Sequence, residues 1–360
     1  MNWLARNLLN WFDQHGRKHL PWQQNINPYR VWVSEIMLQQ TQVTTVIEYY
    51  QRFMDRFPTV AELATAELDE VLHLWTGLGY YARGRNLHKA ARQIVNAHNG
   101  AFPVGVTALC ELPGIGPSTA GAIAAISQGQ RAPILDANVK RVLARFHGVD
   151  GYPGISAVSK RLWYFADYHT PARRTPEYTQ AIMDLGASLC SAKKPDCAQC
   201  PLRERCEAHI IGSPEAFPGR KPRKNKPVRK AHMWLLVDST NALLLVRRPP
   251  TGIWGSLWTP PETPTDLTSA SALEQICQRA GLDAANLLDP VPLSSFRHSF
   301  THYHLDIAPL LVRVSSSART HAVHEVDDLL WYQPNQTSRI GLAKPTVTLL
   351  RILQQGQLLE

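Results

Sequence analysis

Residues 212–230 cannot be helix, and they separate two stretches of chain whose apolar residues recur with different periods. The segment holds Gly212, Pro214, Pro218, Gly219, Pro222 and Pro227, each a helix breaker. Arg220, Lys221, Arg223, Lys224, Lys226, Arg229 and Lys230 make it a basic linker, suited both to a solvated tether and to contact with a phosphate backbone. Before it, residues 1–211 carry apolar side chains every three or four positions with Gly, Pro and Asn at the breaks, the periodicity of packed helices. After it, residues 231–353 read as mixed. Strands are expected over 233–237 and 243–246 around a turn at 238–241, and a helix over 270–280. Strand character returns over 296–314 and over 324–331, and a closing helix spans 345–354. The expected architecture is multidomain: an all-α domain, then an α+β domain.

Charge narrows the class of partner. The formal net charge is +9 and the isoelectric point is near 9.3, which favours a polyanionic ligand and also suits an ordinary basic soluble protein. A hydrophobic fraction of 44% is enough for a buried core. No apolar run approaches the ~18 residues of a membrane span. At the N-terminus, Leu4, Leu8 and Trp11 fall at helical spacing, as in a packed helix and not a signal peptide. A cytoplasmic protein with no membrane partner is the expectation.

Four of the six cysteines, Cys190, Cys197, Cys200 and Cys206, are separated by six, two and five residues. Disulfides are disfavoured in the cytosol. Four thiolates in so short a loop suit one metal centre, and ligand type alone leaves zinc and an iron–sulfur cluster both open. Lys193, Lys194, Arg203 and Arg205 would offset thiolate charge or meet phosphate. Cys110 and Cys277 have no partner pattern and read as packing residues. The string Leu112-Pro113-Gly114-Ile115-Gly116 joins two helical stretches, and Pro117-Ser118-Thr119-Ala120 opens the second. Its glycines permit a tight turn and close approach of another chain, and the exposed amides behind Pro117 form an anion site. By itself the string is also compatible with a plain helical corner.

Two carboxyls stand in contexts that would separate their protonation states. Glu35 lies in the apolar run Val31-Trp32-Val33-Ser34-Glu35-Ile36-Met37-Leu38. It is either on the solvent face of an amphipathic helix or buried and held protonated. Asp136 follows Ile134-Leu135 and precedes Ala137-Asn138-Val139, the place of an N-cap whose amide donors would keep a carboxylate ionised. A purely structural cap would look the same.

Taken together these strings resemble the MutY-type adenine DNA glycosylases of the helix-hairpin-helix and iron–sulfur superfamily, along nearly the whole chain. The match lies in residues 31–43, in Leu135-Asp136-Ala137-Asn138-Val139-Lys140-Arg141, in the hairpin string and in the six-two-five cysteine spacing. Ala137 departs from the usual glycine. The resemblance implies a monofunctional enzyme of base-excision repair. It would hydrolyse the N-glycosidic bond of adenine mispaired with 8-oxoguanine or guanine in double-stranded DNA, as a monomer at the bacterial nucleoid. Cleaving that bond leaves positive charge on the sugar and negative charge on the base, so it wants one protonated acid and one ionised carboxylate. Glu35 would protonate adenine and later activate water, Asp136 would stabilise the sugar cation, and Asn138 would support them. The four cysteines would hold a [4Fe–4S] cluster, and the hairpin would bind DNA phosphate through Leu112, Gly114, Gly116 and Ser118, with a monovalent cation at its carbonyls. Gln40 and Tyr80, the latter in Gly77-Leu78-Gly79-Tyr80-Tyr81-Ala82-Arg83, would enter the base stack.

The second domain resembles MutT, a Nudix fold. Phe300-Thr301-His302 matches a Phe-Ser-His loop that contacts 8-oxoguanine, with threonine for serine. The metal-binding glutamates of a working hydrolase read here as Gln278 and Arg279, so Mg²⁺-dependent pyrophosphate hydrolysis is not expected. The rival readings are an endonuclease III-type glycosylase/lyase, a DNA-binding protein without catalysis, and a nucleotide hydrolase. The first would carry a lysine where Ser118 stands, the second conflicts with intact Glu35 and Asp136, and the third with the altered metal helix.

Overall fold

A computed structural model describes residues 1–222, 225–315, 328–333 and 339–354. Its contacts divide the chain into two compact units, residues 1–66 with 85–223, and residues 67–84 with 224–360. The first is helical: α1 (Trp3–His15), α2 (Pro28–Leu38), α3 (Val43–Arg56) and α4 (Val60–Thr65) precede a gap in the unit. α6 (Ala82–His98), which begins at the edge of the other unit, then leads into α7 (Val106–Cys110), α8 (Pro117–Gln128), α9 (Ala137–Phe146), α10 (Ser156–His169), α11 (Thr175–Ala187) and α12 (Glu207–Ile210). The helix α5 (Leu68–Leu74), although early in sequence, belongs to the second unit.

Local chemistry marks the helix starts. The Asn2 side chain accepts from the Ala5 amide at 3.0 Å and caps α1, which buries Leu4, Ala5, Leu8, Leu9 and Phe12. Asn27 caps α2 in the same way at 2.9 Å, with Pro28 as the first helical residue. Thr59 and Glu62 form a reciprocal capping box on α4. The middle of the unit is α2 against α8 and α8 and α9 against α11. Small residues permit that closeness. A Cβ on Gly121 of α8 would come within 2.3 Å of the Pro133 carbonyl oxygen, and one on Gly186 of α11 within 2.6 Å of the Asn138 Cβ.

The second unit is a mixed sheet between helices. Its strands are β1 (Val228–Val237), β2 (Leu243–Arg247), β3 (Trp258–Thr259), β4 (Glu262–Pro264), β5 (Val291–Pro292), β6 (Phe296–Ser299), β7 (His304–Arg313) and β8 (Leu329–Tyr332). The main path runs β3-β2-β1-β7-β5, with β4 on β1, β6 on β7 and β8 on β2. β1 and β7 are parallel in the register Val228 to His304 through Val237 to Arg313. The two helices of the closing half, α13 (Ser269–Ala280) and α14 (Lys344–Gln354), contribute to different cores. Met233, Leu235 and Val237 pack in one with Leu349, Leu353 and Leu72 of α5, whereas Trp234 and Leu236 pack in the other with Ala272 and Ile276 of α13. A strand buried on both faces reads as a continuous apolar run, and this is why β1 shows no alternation.

The hairpin expected around 238–241 forms, with Val237 paired to Leu243. The long strand expected over 296–314 is two antiparallel strands turning at Phe300–Tyr303, where the Phe300 amide donates to the Tyr303 carbonyl at 2.9 Å. β1 begins at Val228, so three residues with linker composition are strand. Of the strand expected over 324–331, residues 324–327 lie outside the described residues and β8 covers the rest. No described helix is long and apolar enough to cross a membrane.

Candidate active site

α2 is apolar nearly all round: Tyr29, Val31, Trp32, Val33, Ser34, Ile36 and Met37 are buried. A solvent-face glutamate is therefore excluded by its own helix. Glu35 is only partly accessible, and burial first, then the charge of Asp136, push its pKa up to about 8. It holds its proton at neutral pH. The electrostatic coupling also places the two carboxyls, a hundred residues apart in sequence, at one site.

Asp136 is the N-cap of α9, as its sequence context predicts; its Oδ1 accepts the Val139 amide at 2.8 Å. The amide donors expected to keep it ionised are present but are not the largest influence. Burial is the largest influence and raises Asp136 above the ordinary carboxylate value, against the Val139 and Asn138 amides and the Arg141 and Lys140 charges, which lower it. Of two buried carboxyls sharing a site, the one with amide donors ionises first, and its charge holds the proton on the other. Asp136 is thus the more acidic of the two, and less acidic than its cap alone would make it. Ser118 joins this end of the site, its Oγ accepting the Leu135 amide at 2.9 Å.

Asn138 leads to the cysteines. Its Oδ1 accepts from Arg141 Nη2 at 2.8 Å, and Arg141 Nε donates to the Cys190 carbonyl at 2.8 Å. One turn on, Arg145 is 3% exposed and donates to Cys190 Sγ at 3.3 Å and to the Ser191 carbonyl at 2.7 Å. Cys190, Cys197, Cys200 and Cys206 are all free and partly buried. Burial raises the thiol pKa of Cys197, Cys200 and Cys206, that of Cys200 to about 12, and their neighbouring sulfurs add to it. Four thiols on one loop beside two guanidiniums suit a thiolate-ligated group, because the cations offset the charge that ligation requires. Among the described residues no three His, Cys, Asp or Glu are gathered as they would be around one metal ion.

The hairpin is α7, a turn closed by the Ile115 amide donating to the Leu112 carbonyl at 3.1 Å, and α8. Leu112 is buried under the turn. Gly114 has φ +80°, and a Cβ there would lie 2.8 Å from the Asn86 Cβ, so both backbone and space require glycine. Gly116 caps α8 without a side chain, and Pro117 is its first residue. The leading amides of a twelve-residue helix are thus presented uncapped by any side chain. Gln40, just past α2, has φ +57° and is exposed. In the other compact unit Tyr80 has φ +48° and is 46% exposed, with Arg83 5.5 Å from its ring centre. A non-glycine residue in the left-handed region is uncommon, and Gln40 and Tyr80 share it with Asn25, Asn99, Arg174, Lys194, Asn241, Trp254 and Ser256.

Residues 33–166 match the HhH-GPD superfamily of base excision DNA repair proteins, and residues 232–351 match the NUDIX domain. An adenine DNA glycosylase of Buchnera aphidicola (subsp. Schizaphis graminum) is 36% identical over 348 residues, covering 96% of this chain and 97% of the relative. The chain belongs to the adenine DNA glycosylases. The human adenine DNA glycosylase is also 36% identical, over 81% of this chain and 62% of its own length. Among solved structures, a thermostable thymine-DNA glycosylase superposes with a TM-score of 0.53 at 26% identity, covering 58% of this chain and 95% of its own. In this adenine DNA glycosylase the turn between β6 and β7 is the tip of an aromatic cluster. Phe300 packs in an aromatic cluster with Trp254, His298 and Tyr303 at 5.2, 4.6 and 4.7 Å between ring centres. Thr301 and His302 stand exposed beyond it, their Oγ1 and Nδ1 3.3 Å apart, and Lys226 Nζ donates to the Phe300 carbonyl. Gln278 and Arg279 are exposed on α13, so this member lacks carboxylates at those positions.

Sequence reasoning missed Arg141 and Arg145 as a link between α9 and the cysteine loop. A signal existed. Arg145 interrupts the apolar run Val142-Leu143-Ala144 before Phe146, and Asn138, Arg141 and Arg145 fall at helical spacings of three and four on one face.

Proposed function

We propose that this adenine DNA glycosylase removes adenine paired with 8-oxoguanine, and with guanine, acting as a monomer on double-stranded DNA. The observation that carries the reading is the coupled pair, Glu35 holding a proton at neutral pH beside the amide-capped Asp136. Glu35 would deliver that proton to adenine N7, so that the base leaves neutral. Ionised Asp136 would meet the positive charge that develops on the sugar, and Asn138, held by Arg141, would keep the start of α9 in place. Glu35, then ionised, would take a proton from the attacking water. The amides of Ser118 and Thr119 at the start of α8 would take a DNA phosphate, with a monovalent cation at the hairpin carbonyls. Gln40 and Tyr80 would enter the stack that adenine leaves, and Thr301 and His302, braced by Phe300, would read the opposite base.

Cys190, Cys197, Cys200 and Cys206 would hold a [4Fe–4S] cluster whose contribution is to brace the loop that Arg141 and Arg145 tie to α9. Ser118 supports hydrolysis over lyase chemistry, since a hydroxyl cannot form a Schiff base with the opened sugar. The deciding experiment is base release from duplexes with one adenine opposite 8-oxoguanine, guanine or thymine, with a thymine-glycol duplex as control. Release from the first two alone is expected, and preferential release of thymine glycol would overturn the reading.

A further inference from the structure

Tyr80 belongs to the compact unit that carries the Phe300–His302 turn, although residues 67–84 lie within the helical half of the chain. A strap adds to the core packing of Leu72. Arg339, Ile340, Gly341 and Leu342 are consecutive, and each meets a residue between 70 and 81. Arg339 Nη1 donates to Glu70 at 2.9 Å, the Ile340 carbonyl lies 3.3 Å from His73 Nδ1, and the Leu342 carbonyl accepts from the Tyr81 hydroxyl at 3.2 Å. A Cβ on Gly341 would come within 2.6 Å of the Leu72 Cβ, so only a residue without a side chain lets α5 lie this close. The strap is fixed in turn to β3, where the Trp258 amide donates to the Gly341 carbonyl at 2.9 Å. The Trp258 indole N–H donates to Asp69 Oδ1 at 3.1 Å, and Arg247 of β2 stands 3.6 Å from the same carboxylate.

From α5 the hold continues to Tyr80. The Tyr81 hydroxyl that donates to Leu342 also accepts the Gly77 amide at 3.3 Å. The Gly79 carbonyl accepts the Trp75 indole N–H at 3.2 Å and Arg83 Nη2 at 3.0 Å. The loop is thus pinned immediately before and after Tyr80, which itself stays exposed. The turn that ends in Thr301 and His302 rests on the same core. Leu72, Trp254, Trp258, Tyr303 and Leu342 form one cluster, and Tyr81 and Phe300 both pack against it. A close-packed core is nearly incompressible, so a displacement at one of its members is passed to the others.

We propose that Tyr81 and Asp69 are positioning residues that join the reading of the opposite base to the entry of Tyr80 into the base stack. 8-Oxoguanine held by Thr301 and His302 fixes the turn, the shared core and the strap fix the loop, and Tyr80 is set for insertion. Guanine, held less firmly by the turn, leaves Tyr80 inserted less often and adenine extruded less often. The inference rests on the roles proposed above for Tyr80 and for the Phe300–His302 turn.

The test uses the full-length protein as Y81F, D69N, Y80A and the double variant T301A/H302A, the last also combined with Y81F. Phenylalanine keeps the packed ring and asparagine keeps an acceptor for Trp258, so melting temperatures are expected to stay at the wild-type value. Single-turnover adenine release opposite 8-oxoguanine and guanine gives the preference, and 2-aminopurine fluorescence beside the target adenine reports extrusion. Y81F is expected to lower the preference about threefold, the scale of one lost hydrogen bond, and to reduce the fluorescence rise opposite 8-oxoguanine. D69N is expected to act in the same direction. In the T301A/H302A background Y81F should lower the preference no further, because the tie then has nothing to transmit. Wild-type preference and fluorescence in both Y81F and D69N, with Y80A impaired, would overturn the tie alone. A loss in Y81F that adds in full to that of T301A/H302A would reduce Tyr81 to a packing residue and overturn it as well. Wild-type behaviour of Y80A or of T301A/H302A would overturn the role given to those residues, and the proposal with it.

Discussion

Replacing Glu35 by Gln should make this protein more stable at neutral pH while abolishing its chemistry. Glu35 ordinarily titrates near 4.5 and here near 8, chiefly through burial. The sign follows from which state ionises. Below pH 4.5 the carboxyl is protonated in both folded and unfolded chains and has no effect on stability. As pH rises from there the unfolded chain ionises and the folded chain does not, so stability is lost until the folded group itself ionises near pH 8. At pH 7.5 the full difference is roughly 4 kcal/mol. Partial access of solvent to the side chain reduces this to ~2 kcal/mol. Glutamine keeps the shape and removes the titration. The melting transition of the helical unit should then rise by roughly 4–8 °C at pH 7.5. The gain should shrink toward zero at pH 4.5. Calorimetric scans of wild type and E35Q at four pH values, with single-turnover adenine release on the same preparations, measure both effects. Equal stability at every pH would refute the burial argument, and near-wild-type release by E35Q would refute the assignment of Glu35 as the acid.

Adenine release by the wild type should decline above pH about 8, where Glu35 loses its proton, and also on the acid side as Asp136 takes one up; a rate that stays flat from pH 7 to 9.5 contradicts the first part. With Ser118 in place of a lysine, the product should be an intact strand with an abasic site, and borohydride should trap little enzyme on DNA; trapping comparable with a true lyase would be decisive against it. Anaerobically purified protein should carry about four irons per chain. Arg145→Met, which strands buried carbonyls and removes the cation from Cys190 Sγ, should lower both iron content and melting temperature, whereas full-occupancy zinc would remove the cluster from the account. Changing Thr301 and His302 together to Ala should reduce the preference for 8-oxoguanine over guanine by about tenfold, the scale of one or two lost hydrogen bonds, with melting unchanged. An unchanged ratio would assign lesion reading elsewhere. This double variant is a cleaner probe than deleting residues 231–360, because Leu72 of α5 sits in the core of the second unit and a truncation would leave it uncovered.

Much of this protein is local, and what is local was legible. Caps such as Asn27 and Asp136, the glycines of 112–117, the proline-rich break after residue 211 and the hairpin at 238–241 act over a few residues, so their spacing predicts them. The four-cysteine loop is legible for the same reason, as is the absence of carboxylates at Gln278 and Arg279. The fold decided what depends on burial or on distant partners. Glu35 was ambiguous between a solvent face and a buried acid until α2 proved apolar on nearly every side. The raised pKa of Asp136 was not legible, because a cap is a local feature and desolvation is not. The link from Asn138 through Arg141 and Arg145 to Cys190 joins segments some fifty residues apart, and helical spacing alone does not say what lies opposite. The capture of residues 67–84 by the second unit left no mark in composition, because α5 is an ordinary amphipathic helix and only the shape of the core that takes Leu72 selects its unit. Residue type and spacing settle which chemistry is available; desolvation and the meeting of remote segments settle which groups hold a proton and which are brought together to use it.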